Sequence, residues 1–304
     1  MMKKVLLTGA RGFIGMHSLE ALLDRGFEVH AVSSKGRFNG YPEQVVWHHA
    51  DLHNAEHILR LMAGVKPEYL LHLAWEVTHG EYWQSLENLR WVKASLGLLQ
   101  AFIDAGGRRV VMAGSCAEYD WHYGYCSEGL TPLKPATLYG TCKDALQSVV
   151  EATGRVTGLS TAWGRLFFLY GPGEHAGRLV PVVISALLNG ENALCTHGGQ
   201  IRDYIYIKDA AAALVDLLNS EVKGPVNIAA GRAVVLKDLI SAAAEIVGRP
   251  DLVRLGALEA AEDDPPLLLA NTRRLNEEVG WQPRYDLHQG LQETVDWWKT
   301  KAKR

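Results

Sequence analysis

The chain has 304 residues, 48% of them hydrophobic and 21% charged, with a formal net charge of −3. A chain of this length buries a large core, and its interspersed charges offer no basic face, which excludes nucleic acid as a partner. Its opening apolar stretch meets Gly9 too early for a signal peptide, and its longest apolar runs fall far short of the ~20 residues that span a bilayer. The four cysteines (Cys116, Cys126, Cys142, Cys195) have no CxxC spacing, so reduced thiols in a cytoplasmic protein are expected and secreted, fibrous, disordered and membrane classes are excluded.

In chain order, Lys4–Leu7 reads as a short apolar strand, Gly9–Gly15 as a glycine-rich turn and Met16–Arg25 as a helix stopped by Gly26. Strands follow at Phe27–Val32, Val45–His49, Tyr69–Ala74 and Arg109–Ala113, with a helix over Leu86–Ala105. A further helix opens near Tyr139, and Ser160–Leu169 reads as one more strand. Strands alternating with helices predict βαβ units. The expected fold is α/β, a doubly wound parallel sheet covered on both faces.

After Tyr170 the texture changes. Gly171-Pro172-Gly173 breaks the chain, helices are expected at Arg178–Asn189, Asp209–Asn219, Lys237–Val247 and Leu291–Lys299, and a strand at Val226–Ala229. The predicted division is a first domain over residues 1–169 and a smaller C-terminal lobe over 170–304. Part of the second half, about 205–235, is expected to return to the first domain.

Thr8-Gly9-Ala10-Arg11-Gly12-Phe13-Ile14-Gly15 lies between the first strand and the first helix. Glycines there let the backbone turn tightly and approach a pyrophosphate, whose charge suits a helix N-terminus. The spacing is GxxGxxG, one residue longer than the common dinucleotide fingerprint, and its place at the first βα turn favours a cofactor site over an ordinary turn. The second strand ends Ser33-Ser34-Lys35-Gly36-Arg37 rather than in an Asp or Glu for a ribose hydroxyl. Small hydroxyls followed by cations favour NADP(H), with NAD(H) as the alternative.

The sharpest constellation is Tyr139-Gly140-Thr141-Cys142-Lys143, where positions i and i+4 of a helix share a face. A cation beside a phenol favours the phenolate and makes it a usable acid or base nearer neutrality. Ser115 follows the fifth strand at its carboxyl end, where α/β sheets place ligands.

Thr8–Gly15, Ser115 with Tyr119, Tyr139 with Lys143, and Arg202-Asp203-Tyr204 together resemble an extended short-chain dehydrogenase/reductase of the nucleotide-sugar-modifying kind, the NAD-dependent epimerase/dehydratase family. The likeness extends to Asp51-Leu52, His72-Leu73-Ala74, Tyr170-Gly171-Pro172, Asn227-Ile228 and Gly280-Trp281-Gln282-Pro283. It implies an NAD(P)-binding Rossmann domain, a sugar-nucleotide lobe and a Ser115-Tyr139-Lys143 triad. The cofactor would be held by Gly9, Arg11, Gly12, Phe13, Ile14 and Gly15 at the turn, by Ser33, Ser34, Lys35 and Arg37 at the second strand, and by Tyr139 and Lys143. Asp51 and Leu52 would flank its adenine, and Leu73, Ala74 and Trp75 would line the cleft. Cys116, Arg178 and Arg202 would contact substrate, Arg202 at its diphosphate.

Family members that dehydrate nucleotide sugars carry Asp-Glu directly after the catalytic hydroxyl residue; this chain has Ser115-Cys116-Ala117, with Glu118 one place too far along and read as a surface carboxylate. The Cys and His of the fucose-forming epimerase-reductases are not matched either, the His position being Arg178. The second half resembles the CDP-abequose and CDP-paratose synthase group, which reduce a 4-keto-deoxysugar nucleotide. It departs from that group in Glu259–Asp264, which is acidic where a basic residue is usual, and from the wider family in Trp91, where an asparagine is usual. The expected activity is therefore NADPH-dependent reduction of a keto group, at C4, of a nucleoside-diphosphate deoxysugar. The alternative is a 4-epimerase that keeps NAD bound. A non-catalytic cofactor-binding regulator is a third reading, against which the intact Tyr139 and Lys143 spacing argues. A homodimer through Leu86–Ala105 and Tyr139–Ala152 is implied by resemblance.

Three tryptophans, Trp75, Trp83 and Trp121, fall near the carboxyl end of the sheet, where one can stack on sugar or base. No metal is expected: His48, His49, Asp51 and His53 cluster in sequence, but neighbours on a strand face opposite ways. Cys116 reads either as a reactive thiol or as a small residue of the cleft wall, and His175 and Arg178 either as substrate contacts or as an exposed pair.

Overall fold

A computed structural model describes residues 3–35, 41–261 and 263–302. Its strands are β1 (Lys3–Thr8), β2 (Phe27–Ser33), β3 (Val46–His49), β4 (Tyr69–His72), β5 (Arg109–Ser115), β6 (Tyr125–Cys126), β7 (Ser160–Leu166), β8 (Phe168–Tyr170), β9 (Ala193–Leu194), β10 (Ile201–Tyr206), β11 (Gly224–Ile228), β12 (Ala233–Val235), β13 (Val253–Arg254) and β14 (Leu267–Ala270). Its α-helices are α1 (Phe13–Asp24), α2 (Ala55–Val65), α3 (Glu87–Asp104), α4 (Leu138–Thr157), α5 (Leu179–Leu188), α6 (Ile207–Asn219), α7 (Leu236–Val247) and α8 (Leu287–Ala302).

The expected doubly wound sheet forms. Among the described residues it has seven strands in the order β11-β7-β5-β4-β1-β2-β3, all parallel. Strands buried on both faces read as continuous apolar runs, and Val5, Leu6 and Leu7 of β1 are fully buried. One core lies on the α1 and α6 side, around Leu19, Leu22 and Leu214; the other lies on the α2, α3 and α4 side, around Leu98, Phe102 and Leu146. Strand order reverses between β1 and β4, so a crevice opens beyond their carboxyl ends.

The crossing at that point is fixed by a buried polar relay. Thr8 Oγ1 meets His72 Nδ1 at 2.7 Å, His72 Nε2 meets Ser95 Oγ at 2.8 Å, and Thr8 Oγ1 accepts from the amides of Leu73 and Ala74. Burial pulls His72 down to about 3, so it is a neutral spacer.

Helix α1 starts three residues earlier than its apolar spacing predicts. Gly12 is the extended N-cap, and Gly15 already lies inside the helix, where a Cβ would come within 2.1 Å of the Gly9 carbonyl oxygen. The predicted strand over Ser160–Leu169 is two strands. At Phe167, whose amide donates to Ile228, the chain leaves the large sheet; β8 then pairs with β10 instead. The smaller sheet runs β12-β10-β14-β6, and α5, α7 and α8 pack beside it. Strand β11 returns to the edge of the large sheet beside β7. Among the described residues no helix is long and apolar enough to cross a membrane.

Candidate active site

The crevice holds a cavity of about 480 Å³ that runs from the glycine turn past the end of β2 to the loop after β3. Gly9, Arg11, Gly12, Ser33, Ser34, Lys35, Asp51, Leu52, Ala74 and Trp75, all chosen from sequence, line it. Ile14 and Leu73 pack instead against the core behind the turn, and Phe13 against the cluster around Tyr170. Arg37 lies outside the described residues. Sequence reasoning missed Val32, Ala50, His53 and Trp91 as lining residues. The Trp91 ring stands edge-on to His53 at 4.5 Å and stacks on Trp75 at 6.3 Å. The available signal was that Trp91 breaks the family pattern. No side chain caps the amides of α1, and its first turn has no acidic residue, so the end of the cavity suits an anion.

Ser115, Tyr139 and Lys143 come together beside this cavity. Thr137 caps α4, its hydroxyl accepting from Gly140 N at 3.1 Å, and sets the start of the helix. Gly140 lets α4 press on the turn after β5: a Cβ there would fall 2.3 Å from the Ala117 carbonyl oxygen. That approach brings the Tyr139 hydroxyl beside the Ser115 side chain, near enough for the serine to hold its titration down. Burial, then Tyr82, push the Tyr139 hydroxyl above its ordinary value, while Ser115 pulls it back. The tyrosine is thus held protonated.

Lys143 is 4% exposed and donates to the Ala113 carbonyl at 2.8 Å. Its ammonium stands 3.7 Å from the centre of the Trp75 ring and 5.9 Å from that of Tyr139. The expected pull of this cation on the phenol is not what sets Tyr139 here; the lysine is turned to the indole, and burial pushes it down to about 7.

Aromatic rings wall the tyrosine. Tyr82, Trp83 and Trp75 stand edge-on to it at 4.9, 5.7 and 6.4 Å, and Trp121 stands edge-on to Trp83 at 6.3 Å. All three tryptophans singled out from sequence therefore belong to this wall. Cys116 is 7% exposed and its thiol is pushed up by burial, which makes it a wall residue rather than a reactive one.

Glu118 is a correction. It is not on the surface but fully buried, 2.6 Å from Arg165 Nε of β7, and it also accepts from Trp163 Nε1 at 2.9 Å and from the Ser115 amide at 2.7 Å. Glu118 and Ser115 form a capping box that holds the serine in place. Its partner is 47 positions away, so no local pattern announces it.

Arg178 is half-buried, stacked 5.7 Å from the Tyr82 ring, with its neighbour His175 exposed. Arg202 is 4% exposed and bonded to Asp264, from the acidic stretch before β14, at 2.5 Å; Gln200 donates to the other Asp264 oxygen at 3.0 Å.

A sequence model of the NAD dependent epimerase/dehydratase family matches residues 5–229. The chain belongs to that family. It is 28% identical to a UDP-glucose 4-epimerase of Azospirillum brasilense, over 97% of this chain and 92% of that one. It is 27% identical to a CDP-abequose synthase of Salmonella typhimurium, over 96% of this chain and 97% of the other. A UDP-glucose 4-epimerase of Thermus thermophilus, solved in complex with NAD, superposes with a TM-score of 0.81 at 25% identity, covering 97% of this chain and 99% of its own. The family read from the ordered motifs is thus the right one, and the chain is one of its enzymes. Oxidoreductase-type chemistry with a nicotinamide dinucleotide fits the site described above.

Proposed function

We propose that the protein reduces a keto group, at C4, of a nucleoside-diphosphate deoxysugar, with NADPH preferred over NADH. The observation that carries this reading is the end of the cavity at β2, lined by Ser33, Ser34 and Lys35 with no carboxylate closing the strand. An NAD-preferring site places an acidic residue there for the ribose 2′-hydroxyl. In this reading the turn at Gly9, Arg11 and Gly12 would hold the pyrophosphate, Asp51 and Leu52 would flank the adenine, and Lys143 would hold the ribose beside the nicotinamide. The bound cofactor supplies the hydride.

The chain's own residues handle the proton. Tyr139, kept protonated by burial, donates from its hydroxyl to the carbonyl oxygen, and Ser115 hydrogen-bonds the same oxygen. The aromatic wall excludes water from that proton. Glu118 takes no part in proton transfer, being engaged by Arg165, Trp163 and the Ser115 amide. With no free carboxylate beside Ser115, elimination of water is disfavoured. Cys116, Arg178 and Arg202 are the proposed substrate contacts, Arg202 exchanging Asp264 for the substrate's diphosphate. Residues 1–169, joined by part of 205–235, would hold the cofactor and 170–304 the sugar nucleotide, a division supported by the return of β11 to the large sheet.

A second reading, a 4-epimerase with NAD bound throughout its cycle, is favoured by the 4-epimerases among the relatives and by the NAD in the Thermus complex. The nucleotide released on denaturing the purified protein separates the two. NADP(H), or a site that binds NADPH ahead of NADH, supports the reductase; stoichiometric NAD⁺ overturns it.

Buried free cysteines fit a reducing, cytoplasmic compartment. The proposed assembly is a homodimer through α3 and α4, supported by exposed Leu86 and Leu89 at the start of α3 and by exposed Val149 and Val156 on α4. Changing Val149 and Val156 together to glutamate is expected to halve the mass measured by light scattering, with turnover per site retained at low concentration.

A further inference from the structure

Glu174 lies in the turn after β8 and is 9% exposed. The Gly171 backbone holds its titration down a little, yet Oε2 is buried with no hydrogen-bond partner among the described residues. Buried polar atoms are paired as a rule, so an orphaned buried carboxyl oxygen marks a place for a ligand's donor or acceptor. Burial pushes this carboxyl up to about 8 against the pull of Arg178, so near neutrality it carries a proton.

Its neighbours tie it to the cleft. Arg178 lies within its electrostatic reach and donates to the Tyr82 hydroxyl at 3.5 Å, and the Tyr82 ring packs edge-on against Tyr139. Tyr204 of β10 is pushed up first by burial and then by Glu174, while Arg202 pulls it back. Beneath, Gly173 of the same turn approaches Met16 and Phe13 at the start of α1. The turn that carries Glu174 thus adjoins the first turn of α1 through Gly173 and, through Arg178 and Tyr82, the wall of the triad tyrosine, where the sugar of a nucleotide sugar would lie.

We propose that Glu174 is a substrate-binding residue whose Oε2 hydrogen-bonds a sugar hydroxyl, so that it selects sugars that keep that hydroxyl. This rests on the nucleotide-sugar reading given above. Glutamine keeps a donor and an acceptor in nearly the same shape, whereas alanine removes both.

The test compares wild type, E174Q and E174A, each loaded with cofactor, on CDP- and UDP-linked 4-keto-6-deoxyglucose and on their 2-deoxy and 3-deoxy forms. Melting temperature and cofactor affinity are measured alongside. E174A is expected to raise KM by about 10-fold or more with kcat within about threefold, and E174Q to recover most of that loss. On the deoxy form that lacks the contacted hydroxyl, wild type and E174A are expected to have equal KM. A KM unchanged in E174A for every substrate overturns the assignment of Glu174 alone, as does an E174Q as impaired as E174A. No binding or turnover of any of these compounds by wild type overturns the nucleotide-sugar reading, and the assignment with it.

Discussion

Replacing Tyr139 by phenylalanine is expected to lower kcat by roughly 10²–10⁴-fold, the range for loss of a positioned general acid. The ring remains, with its edge-on contacts to Tyr82, Trp83 and Trp75, so the aromatic wall keeps its shape. What goes is one hydroxyl, which lies beside the Ser115 side chain. Ser115 keeps its own anchor, since its Oγ also accepts from Ala117 N at 3.1 Å. The fold should therefore change in stability by no more than about 1 kcal/mol, the net value of a typical hydrogen bond. Cofactor affinity should be unchanged as well, because the cavity is lined by residues other than Tyr139. Titration with NADPH, followed by quenching of the Trp75 and Trp91 emission, separates binding from turnover. Unchanged turnover would remove Tyr139 from the chemistry and with it the proposed reduction.

The parts of this protein that were legible in its sequence are those encoded by short-range spacing. Tyr139 and Lys143 share a helix face because four residues make about one turn, and the glycine turn announces itself between an apolar strand and a helix. Strand β10 shows in the sequence as a motif but not as a strand. Ile201-Arg202-Asp203-Tyr204 puts charge at positions that prove to be buried: Arg202 answers Asp264, and Asp203, fully buried, accepts the amides of Ala230 and Gly231 at 2.9 and 3.1 Å. A hydrophobicity pattern cannot reveal a strand whose interior charges are paired from elsewhere in the chain. The division of Ser160–Leu169 at Phe167 was hidden for the opposite reason. The residues stay apolar across the break, and only the change of pairing partner, from β11 to β10, marks it. Glu118 combines both difficulties, since a lone acid in a loop reads as solvated until β7 brings Arg165 to it.

That pair carries the largest effect on stability. Arg165 and Glu118 are 1% and 0% exposed, and Arg165 also donates to the Tyr119 hydroxyl at 3.1 Å. Removing one partner of a buried pair leaves the other charge without compensation, which costs about 3–5 kcal/mol. Arg165→Met is therefore expected to destabilise the fold by that amount, read from the midpoint of urea unfolding. The double variant Arg165→Met, Glu118→Gln should recover part of the loss, since the stranded carboxylate goes with the cation while a glutamine oxygen can still accept from Trp163 Nε1 and the Ser115 amide. The same comparison tests how the pair serves the site. If Glu118 holds Ser115 through its amide, kcat measured below the unfolding transition should fall in Arg165→Met and return toward wild type in the double variant. A kcat indifferent to both changes would confine the pair to stability and leave Ser115 positioned by β5 and its own hydroxyl bonds.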